Sequence, residues 1–170
     1  MDDAGDGALA RHRLMRVHIV AVGRLRKGPE RALIDDYLTR FDRTGRALGF
    51  GPAQVIEVED KKGGGMAAEA RLLDKAIPNG ALVCVMDERG REMTSPDFAR
   101  QLARWRDDGR QDLAFVIGGA DGLDPSLRAQ AGFALGFGKM VWPHMLVRVM
   151  LSEQLYRAAS ILAGSPYHRA

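Results

Sequence analysis

The chain has 170 residues, of which 46% are hydrophobic and 28% charged, with a formal net charge of +3. These values are ordinary for a globular domain with a proper core, and no apolar run approaches the roughly 20 residues of a membrane helix. The single cysteine, Cys84, excludes an internal disulfide, and one cysteine with four scattered histidines predicts no metal site. We therefore expect a reduced, cytoplasmic protein without metal or membrane contact, whose charge permits a nucleic-acid partner.

Residues 1–14 show neither a helical nor a strand period, and they lack the apolar core of a signal peptide. They are predicted to be a disordered leader, with Met15 as a natural alternative start. Residues 15–170 are predicted to form a single domain, because no linker or internal repeat divides them.

From residue 16 onward, apolar segments alternate with amphipathic ones in chain order. Strands are predicted at 16–23, 53–60, 81–87, 112–119 and 132–138, and helices at 29–41, 66–77, 94–109, 124–131 and 146–164. The third helix has the clearest start, with Ser95 as its cap and Pro96 in its first turn. Apolar strands buried on both faces and alternating with helices predict a mostly parallel α/β sheet.

In such a sheet, ligands bind beyond the carboxyl ends of the strands. The third strand ends at Met86, and the fourth runs into "GGADG" (118–122), whose glycine pair allows a ligand or another backbone to come close. The segment matches neither a P-loop nor the dinucleotide-binding glycine pattern. A tight turn into the next helix explains it equally well.

The segment "GFGKMVWPHMLVR" (136–148) is an unusual apolar loop that runs directly into a helix. Its backbone groups and apolar side chains suit a flat heterocycle such as adenine. The alternative is a buried connection in which His144 is satisfied within the core. Arg148 is predicted in the first helical turn, where a cation is disfavoured by the helix dipole, so a functional reason is expected.

The segment "YHR" (167–169) is the other unusual stretch, because chain ends are usually frayed and polar. Either these residues are exposed to solvent and have no role, or the tail packs near the active site.

The segments "VAVGRLRKG", "VIGGADGLD", "PHMLVRVMLSEQLYRA" and "SPYHR", in this order, resemble the SPOUT methyltransferase family, and within it the enzymes that methylate N3 of a pseudouridine in large-subunit rRNA. The resemblance covers residues 15–170. It implies an α/β knot with a C-terminal deep trefoil, S-adenosylmethionine as methyl donor, and a homodimer with each active site near the subunit interface. Because the chain carries almost no added RNA-binding domain, it also implies an assembled 70S ribosome as substrate.

Site residues follow from the same resemblance. Those implied for cofactor binding are Met86, Gly118, Gly119, Phe137, Gly138, Lys139, Met140, Val141 and Trp142. Those implied for catalysis are His168, Arg148, Tyr167, Arg169 and His144. Met86 and Trp142 depart from the family's usual residues but keep an apolar wall.

The proposed reaction requires N3 of the base to lose its proton before it attacks the methyl group. His168 is the expected general base, and His144 the expected structural histidine. Arg148 and Arg169 would stabilise the deprotonated ring or hold the RNA backbone, and Tyr167 would stack on the base or orient a neighbour.

Two other hypotheses on the function remain open. One is a non-catalytic RNA- or ribosome-binding module, which would not need the glycine pair or the 136–142 loop. The other is a different nucleotide-binding α/β enzyme, with "GGADG" as a phosphate turn.

Overall fold

The computed structural model describes residues 14–169. The predicted leader, residues 1–14, lies outside the described part except for Leu14. The strands are β1 (Met15–Val22), β2 (Phe50–Val58), β3 (Leu82–Glu92), β4 (Asp112–Ile117) and β5 (Phe133–Gly136). The helices are α1 (Pro29–Gly45), α2 (Gly65–Ala76), α3 (Ser95–Asp107), α4 (Pro125–Gln130) and α5 (His144–Leu162), with a 3-10 turn at Arg46–Leu48.

The five strands form one sheet in the order β2-β1-β4-β3-β5, and every neighbouring pair is parallel. Every residue of β4 is buried, which fits a strand covered on both faces. The prediction of a parallel α/β sheet is confirmed. No helix in residues 14–169 has the length and apolar character needed to cross a membrane.

Two hydrophobic layers cover the sheet because successive strand residues point to opposite faces. Ile19 and Phe115 face a core that includes apolar residues of α1, α3 and α5. Val20 and Val116 face a second core completed by α2 and α4. The long helix α5 packs against both α1 and α3, so the final part of the chain lies along one face of the sheet.

The start of α3 differs from the prediction. Thr94, not Ser95, is the N-cap, and its hydroxyl accepts the backbone N–H of Asp97 at 3.1 Å. Ser95 Oγ instead donates to Oε1 of Gln154 at 2.7 Å, which links α3 to α5. The cap therefore lies one residue earlier, and the serine joins two helices.

Strand β3 is longer than predicted because it contains an excursion. Met86 and Arg91 both align with Leu135 of β5, so residues 87–90 leave the strand while pairing continues on either side. The polar sequence "DERG" resembles a loop, which explains why the prediction ended the strand at residue 87. The excursion places polar groups at the carboxyl end of the sheet.

Candidate cofactor site

A cavity of about 790 Å³ lies at the carboxyl ends of β3, β4 and β5. Eight of the nine residues predicted to bind the cofactor line it: Met86, Gly118, Gly119, Phe137, Gly138, Met140, Val141 and Trp142. Lys139 is not among the lining residues, and its side chain is exposed. The structure therefore brings three separate sequence segments to one cavity.

Gly118 lies where two backbone segments come together at the wall of this cavity. A Cβ on Gly118 would lie 2.6 Å from the carbonyl oxygen of Gly122, a distance that real side chains do not tolerate. Gly136 is similarly confined, because its Cβ would lie 2.8 Å from the carbonyl oxygen of Asp87. Glycine at these positions lets the loops of the site pack backbone against backbone.

The β3 excursion contributes a carboxylate to the cavity lining. Asp87 accepts hydrogen bonds from the backbone N–H of Arg89 at 3.0 Å and from Nη1 of Arg128 at 3.4 Å. Its side chain is only 10% exposed. Asp87 thus joins the excursion to α4, and its ion pairs leave no bare buried charge there.

The loop between β5 and α5 forms the outer wall. Trp142 Nε1 donates to the carbonyl oxygen of Phe137 at 3.3 Å, closing the loop on itself. Met140 and Val141 are 75% and 79% exposed, and Trp142 is 41% exposed. We call residues 137–142 the apolar loop, since it presents large apolar side chains both to the cavity and to solvent.

His144 begins α5 and also lines the cavity, where it is half-buried. Its Nε2 lies 3.8 Å from the position that a Cβ on Gly23 would occupy, so the end of β1 borders the site. This placement favours the cavity over the alternative of a histidine satisfied in the core.

Glu69 of α2 borders the same region and was missed by sequence reasoning. Its carboxylate oxygens lie 3.1 and 3.4 Å from the Cβ position of Gly119. Burial raises the pKa of Glu69, and the charges of Asp121 and Asp60 raise it further, while His144 partly offsets them. Residues 14–169 hold no cluster of three or more His, Cys, Asp or Glu side chains that could bind a metal.

Arg148 does not line this cavity. It is the fifth residue of α5 rather than a first-turn residue, because the helix begins at His144 and not at residue 146. The side chain is 1% exposed, and its Nη1 donates to Oε2 of Glu57 at 2.8 Å. Its Nη2 donates to the carbonyl oxygen of Gly23 at 3.2 Å. The prediction that Arg148 lies in the first turn, against the helix dipole, is therefore wrong, and its burial is explained by the ion pair with Glu57.

The tail is docked, but on its own helix and not at this cavity. Tyr167 Oη donates to Oε1 of Glu153 at 2.9 Å, and Nη1 of Arg157 lies 3.1 Å from Nδ1 of His168. Arg169 is exposed. Tyr167, His168 and Arg169 are absent from the cavity lining within one chain. The ion pair of Glu153 and Arg157 is visible in the sequence as an i, i+4 spacing, but that spacing alone does not reveal that it holds the tail.

Residues 15–168 match the family model described as "Predicted SPOUT methyltransferase". The chain belongs to the SPOUT methyltransferase family. The resemblance in the sequence is thereby confirmed.

Among curated proteins, this SPOUT chain is 76% identical over 155 residues to the "Ribosomal RNA large subunit methyltransferase H" of Ruegeria pomeroyi. That match covers 91% of this chain and 99% of the relative. A protein of the same name from Cereibacter sphaeroides strain ATCC 17025 is 67% identical, with the same coverage. Among solved structures, the SpoU methyltransferase AviRb from Streptomyces viridochromogenes in complex with AdoMet is 14% identical, covers 90% of this chain and 60% of its own, and has a TM-score of 0.42.

Proposed function

We propose that this SPOUT protein transfers a methyl group from S-adenosylmethionine to N3 of a pseudouridine in large-subunit rRNA. The observation that carries the proposal is the 76% identity, over 91% of the chain, to a protein named as a ribosomal RNA large subunit methyltransferase. The cavity adds a site of suitable size and chemistry. N3 of pseudouridine as acceptor rests on the resemblance of the motifs given in the sequence analysis.

The residues of the cavity fit S-adenosylmethionine. A volume of about 790 Å³ is within the usual range for ligand sites, roughly 300–1,000 Å³. Met86 and Phe137 offer apolar walls for the adenine ring, and the backbone at Gly118 is free of side-chain obstruction. When bound, the cofactor supplies a methyl group already activated on a sulfonium. The contribution of the protein is therefore to orient donor and acceptor.

We propose a homodimer, because the parts of the site are separated within one chain. The tail residues are not in the cavity lining, while Met140 and Val141 of the apolar loop are exposed beside it. Large apolar side chains grouped at the edge of a site mark a surface that another protein covers. A second subunit packed there would protect the apolar loop and bring its own tail towards the cavity.

The RNA would approach over a basic rim at the carboxyl edge of the sheet. Arg26 and Lys27 follow β1, and Lys61 and Lys62 follow β2; all four side chains are exposed. Such cations bind phosphates independently of base sequence. Because residues 14–169 form one sheet with its covering helices and no separate RNA-binding domain, we propose the assembled 70S ribosome in the cytoplasm as the substrate.

In this mechanism, the tail and helix α5 act on the acceptor base. Deprotonation at N3 leaves negative charge on the imide, which nearby donors stabilise. Arg169 is exposed and can contact the base or a phosphate. Arg148 acts as a positioning residue, since its buried guanidinium holds α5 against β2 and the end of β1. Tyr167 is held in place by Glu153 and can stack on the base.

The direct test is methyl transfer from labelled S-adenosylmethionine to assembled, undermethylated ribosomes, with protein-free rRNA assayed in parallel. We expect one methyl group on a large-subunit pseudouridine, located by mass spectrometry and formed only on ribosomes. Methylation of uridine, or of protein-free rRNA alone, would refute the substrate. Absence of transfer together with cofactor binding would keep the site and reject the acceptor.

A further inference from the structure

The tail is fixed to α5 by a cluster of four side chains, which we call the tail clamp: Glu153, Arg157, Tyr167 and His168. Arg157 directs Nε and Nη2 to Oε1 of Glu153, at 2.9 and 2.6 Å. The same oxygen accepts the phenol of Tyr167 at 2.9 Å. The Arg157 guanidinium also lies 4.8 Å from the centre of the Tyr167 ring. The tail is therefore held by charge and by stacking together.

The remaining nitrogen of Arg157 determines the tautomer of His168. Nη1 of Arg157 lies 3.1 Å from Nδ1 of His168. A guanidinium has only N–H donors and stays protonated in proteins, so it cannot accept a hydrogen bond. Nδ1 must then accept, which is possible only for an imidazole without a proton on that nitrogen. The single ring proton of His168 is consequently on Nε2.

Nε2 of His168 is available for a hydrogen bond to a ligand. It has no hydrogen-bond partner among residues 14–169, and the side chain is only partly buried. The other members of the tail clamp are already engaged with one another. Within the described residues, the Nε2–H of His168 is thus a free donor, and its orientation is determined by Arg157, which is always charged.

We propose that His168 acts in methyl transfer as a neutral Nε2–H hydrogen-bond donor to a carbonyl oxygen of the acceptor base, and not as the general base. This inference rests on the proposed function. The N3 proton passes to solvent water, and its loss from the ring imide spreads negative charge onto the two flanking carbonyl oxygens. A fixed donor stabilises that charge more strongly as it develops. N3 would then form its bond to the methyl carbon as the bond between that carbon and the donor sulfur breaks. Arg157 and Glu153 are positioning residues, because they act through His168.

Three replacements of His168 separate a donor from a base. Glutamine places an amide N–H near the position of Nε2 but cannot take up a proton, whereas asparagine places its amide near Nδ1. We expect His168→Gln to keep kcat within about tenfold of the wild type with an unchanged pH profile, while His168→Asn and His168→Ala lose about 10²-fold or more. A His168→Gln enzyme as inactive as His168→Ala would overturn the proposal.

The tautomer can be measured without any assay of activity. Long-range ¹H–¹⁵N correlation spectra of the full chain report which ring nitrogen carries the proton, and the His168→Gln variant identifies the resonance. At pH 7.5 we expect the ring proton on Nε2 and none on Nδ1. The Nδ1 resonance should shift in Arg157→Gln but not in Arg100→Gln. Arg100 belongs to an exposed ion pair on α3 and serves as a matched control.

The two measurements distinguish the possible failures. A proton on Nδ1 would reject this inference even if the ribosome is methylated as proposed. Wild-type protein that shows the expected tautomer yet transfers no methyl group to ribosomes would reject the proposed function and, with it, the role of His168 at the base.

Discussion

Arg148 of α5 donates to Glu57 of β2 across 91 residues of chain, at 2.8 Å. Oε2 of Glu57 also accepts the backbone N–H of Leu25 at 2.7 Å. One carboxylate therefore joins the last helix, an edge strand and the loop after β1. Since that loop borders His144 through Gly23, this contact helps determine the shape of the site without lining it.

Removing either partner of this pair should destabilise the protein unequally. Glu57→Ala leaves a guanidinium that is 99% buried and whose Nε already lacks a partner in the described part of the chain. Arg148→Met leaves a carboxylate that is 29% exposed and can be hydrated. We expect a loss of about 2–4 kcal/mol in the free energy of unfolding for Glu57→Ala, and a smaller loss for Arg148→Met. Urea denaturation measures both, and the reverse order would contradict this account.

As pH falls, the contributions of Glu69 and Glu57 to the stability of the fold should change in opposite directions. The pKa of Glu69 is raised, so its carboxylate weakens the fold at neutral pH, and this cost disappears as pH falls through the folded pKa towards the unfolded value of about 4.3. Glu69→Gln is therefore expected to raise Tm at pH 7.5 and to leave it unchanged near pH 3.5. A Tm gain that persists at pH 3.5 would show that the gain does not come from ionisation.

The matched comparison is Glu57→Gln. Burial opposes ionisation of Glu57, but hydrogen bonds from Leu25 and Arg148 and the Arg148 charge outweigh it, so the pKa of Glu57 is lowered. The stability contributed by this carboxylate is fully present above about pH 4.3 and is lost as pH falls through the lower folded pKa. Glu57→Gln should thus lower Tm at pH 7.5 and make little difference in acid.

Gly118→Ala should impair the cofactor site. The new Cβ would meet backbone atoms of Gly122 and Leu123, which cannot move aside as a flexible side chain can. We expect at least a tenfold weaker Kd for S-adenosylmethionine by calorimetry, corresponding to about 1.4 kcal/mol. Gly28→Ala is the control, because its Cβ would meet nothing closer than 3.5 Å and its φ of 170° is extended. Equal affinity for both variants would refute a role for the close packing at Gly118.

The sequence predicts the sheet, and the position of the site beyond its strand ends, because both depend on local patterns. The individual cofactor residues are predicted from the resemblance to the SPOUT family. Apolar runs followed by glycine locate the ends of the strands, and Gly118 and Phe137 lie in the loops that follow those ends. The pairing of Arg148 with Glu57 is not predictable in this way, since nothing local connects them. The role of His168 is also not predictable from local patterns, because it depends on Arg157, eleven residues earlier. The i, i+4 spacing predicts only that Arg157 pairs with Glu153.

Tyr167→Phe should loosen the tail while leaving the global fold intact. The pKa of Tyr167 is raised by burial and by its contact with Glu153, so the phenol stays protonated and donates at all moderate pH values. Loss of this hydrogen bond is expected to cost about 0.5–1.5 kcal/mol. Hydrogen exchange should speed up in residues 165–169 and remain unchanged in β4. Unchanged exchange in the tail would show that the contacts of Tyr167 with Tyr156 and Arg157, and of Arg157 with His168, hold it without this hydrogen bond.

Charged residues in the apolar loop should prevent association of two subunits. Met140→Glu combined with Val141→Glu places two carboxylates on side chains that are at least 75% exposed, so the fold of one chain should tolerate them. Light scattering is expected to show a dimer for the wild type and a monomer for the double variant. Lys139→Glu, in the same loop but without loss of an apolar side chain, is the control. A dimeric double variant would place the subunit interface elsewhere.

The excursion of β3 places residues at the cavity without interrupting the pairing of β3 with β5. Since Met86 and Arg91 both remain paired beside Leu135, the ladder is closed behind residues 87–90. Gly90 is held tightly against β5, where its Cβ would lie 2.7 Å from the backbone of Leu135, but Glu88 and Arg89 are exposed. Both line the cavity outside the strand ladder, and the backbone N–H of Arg89 is bonded to Asp87. The residues at the rim of the cavity can therefore differ in sequence without the loss of a strand pairing.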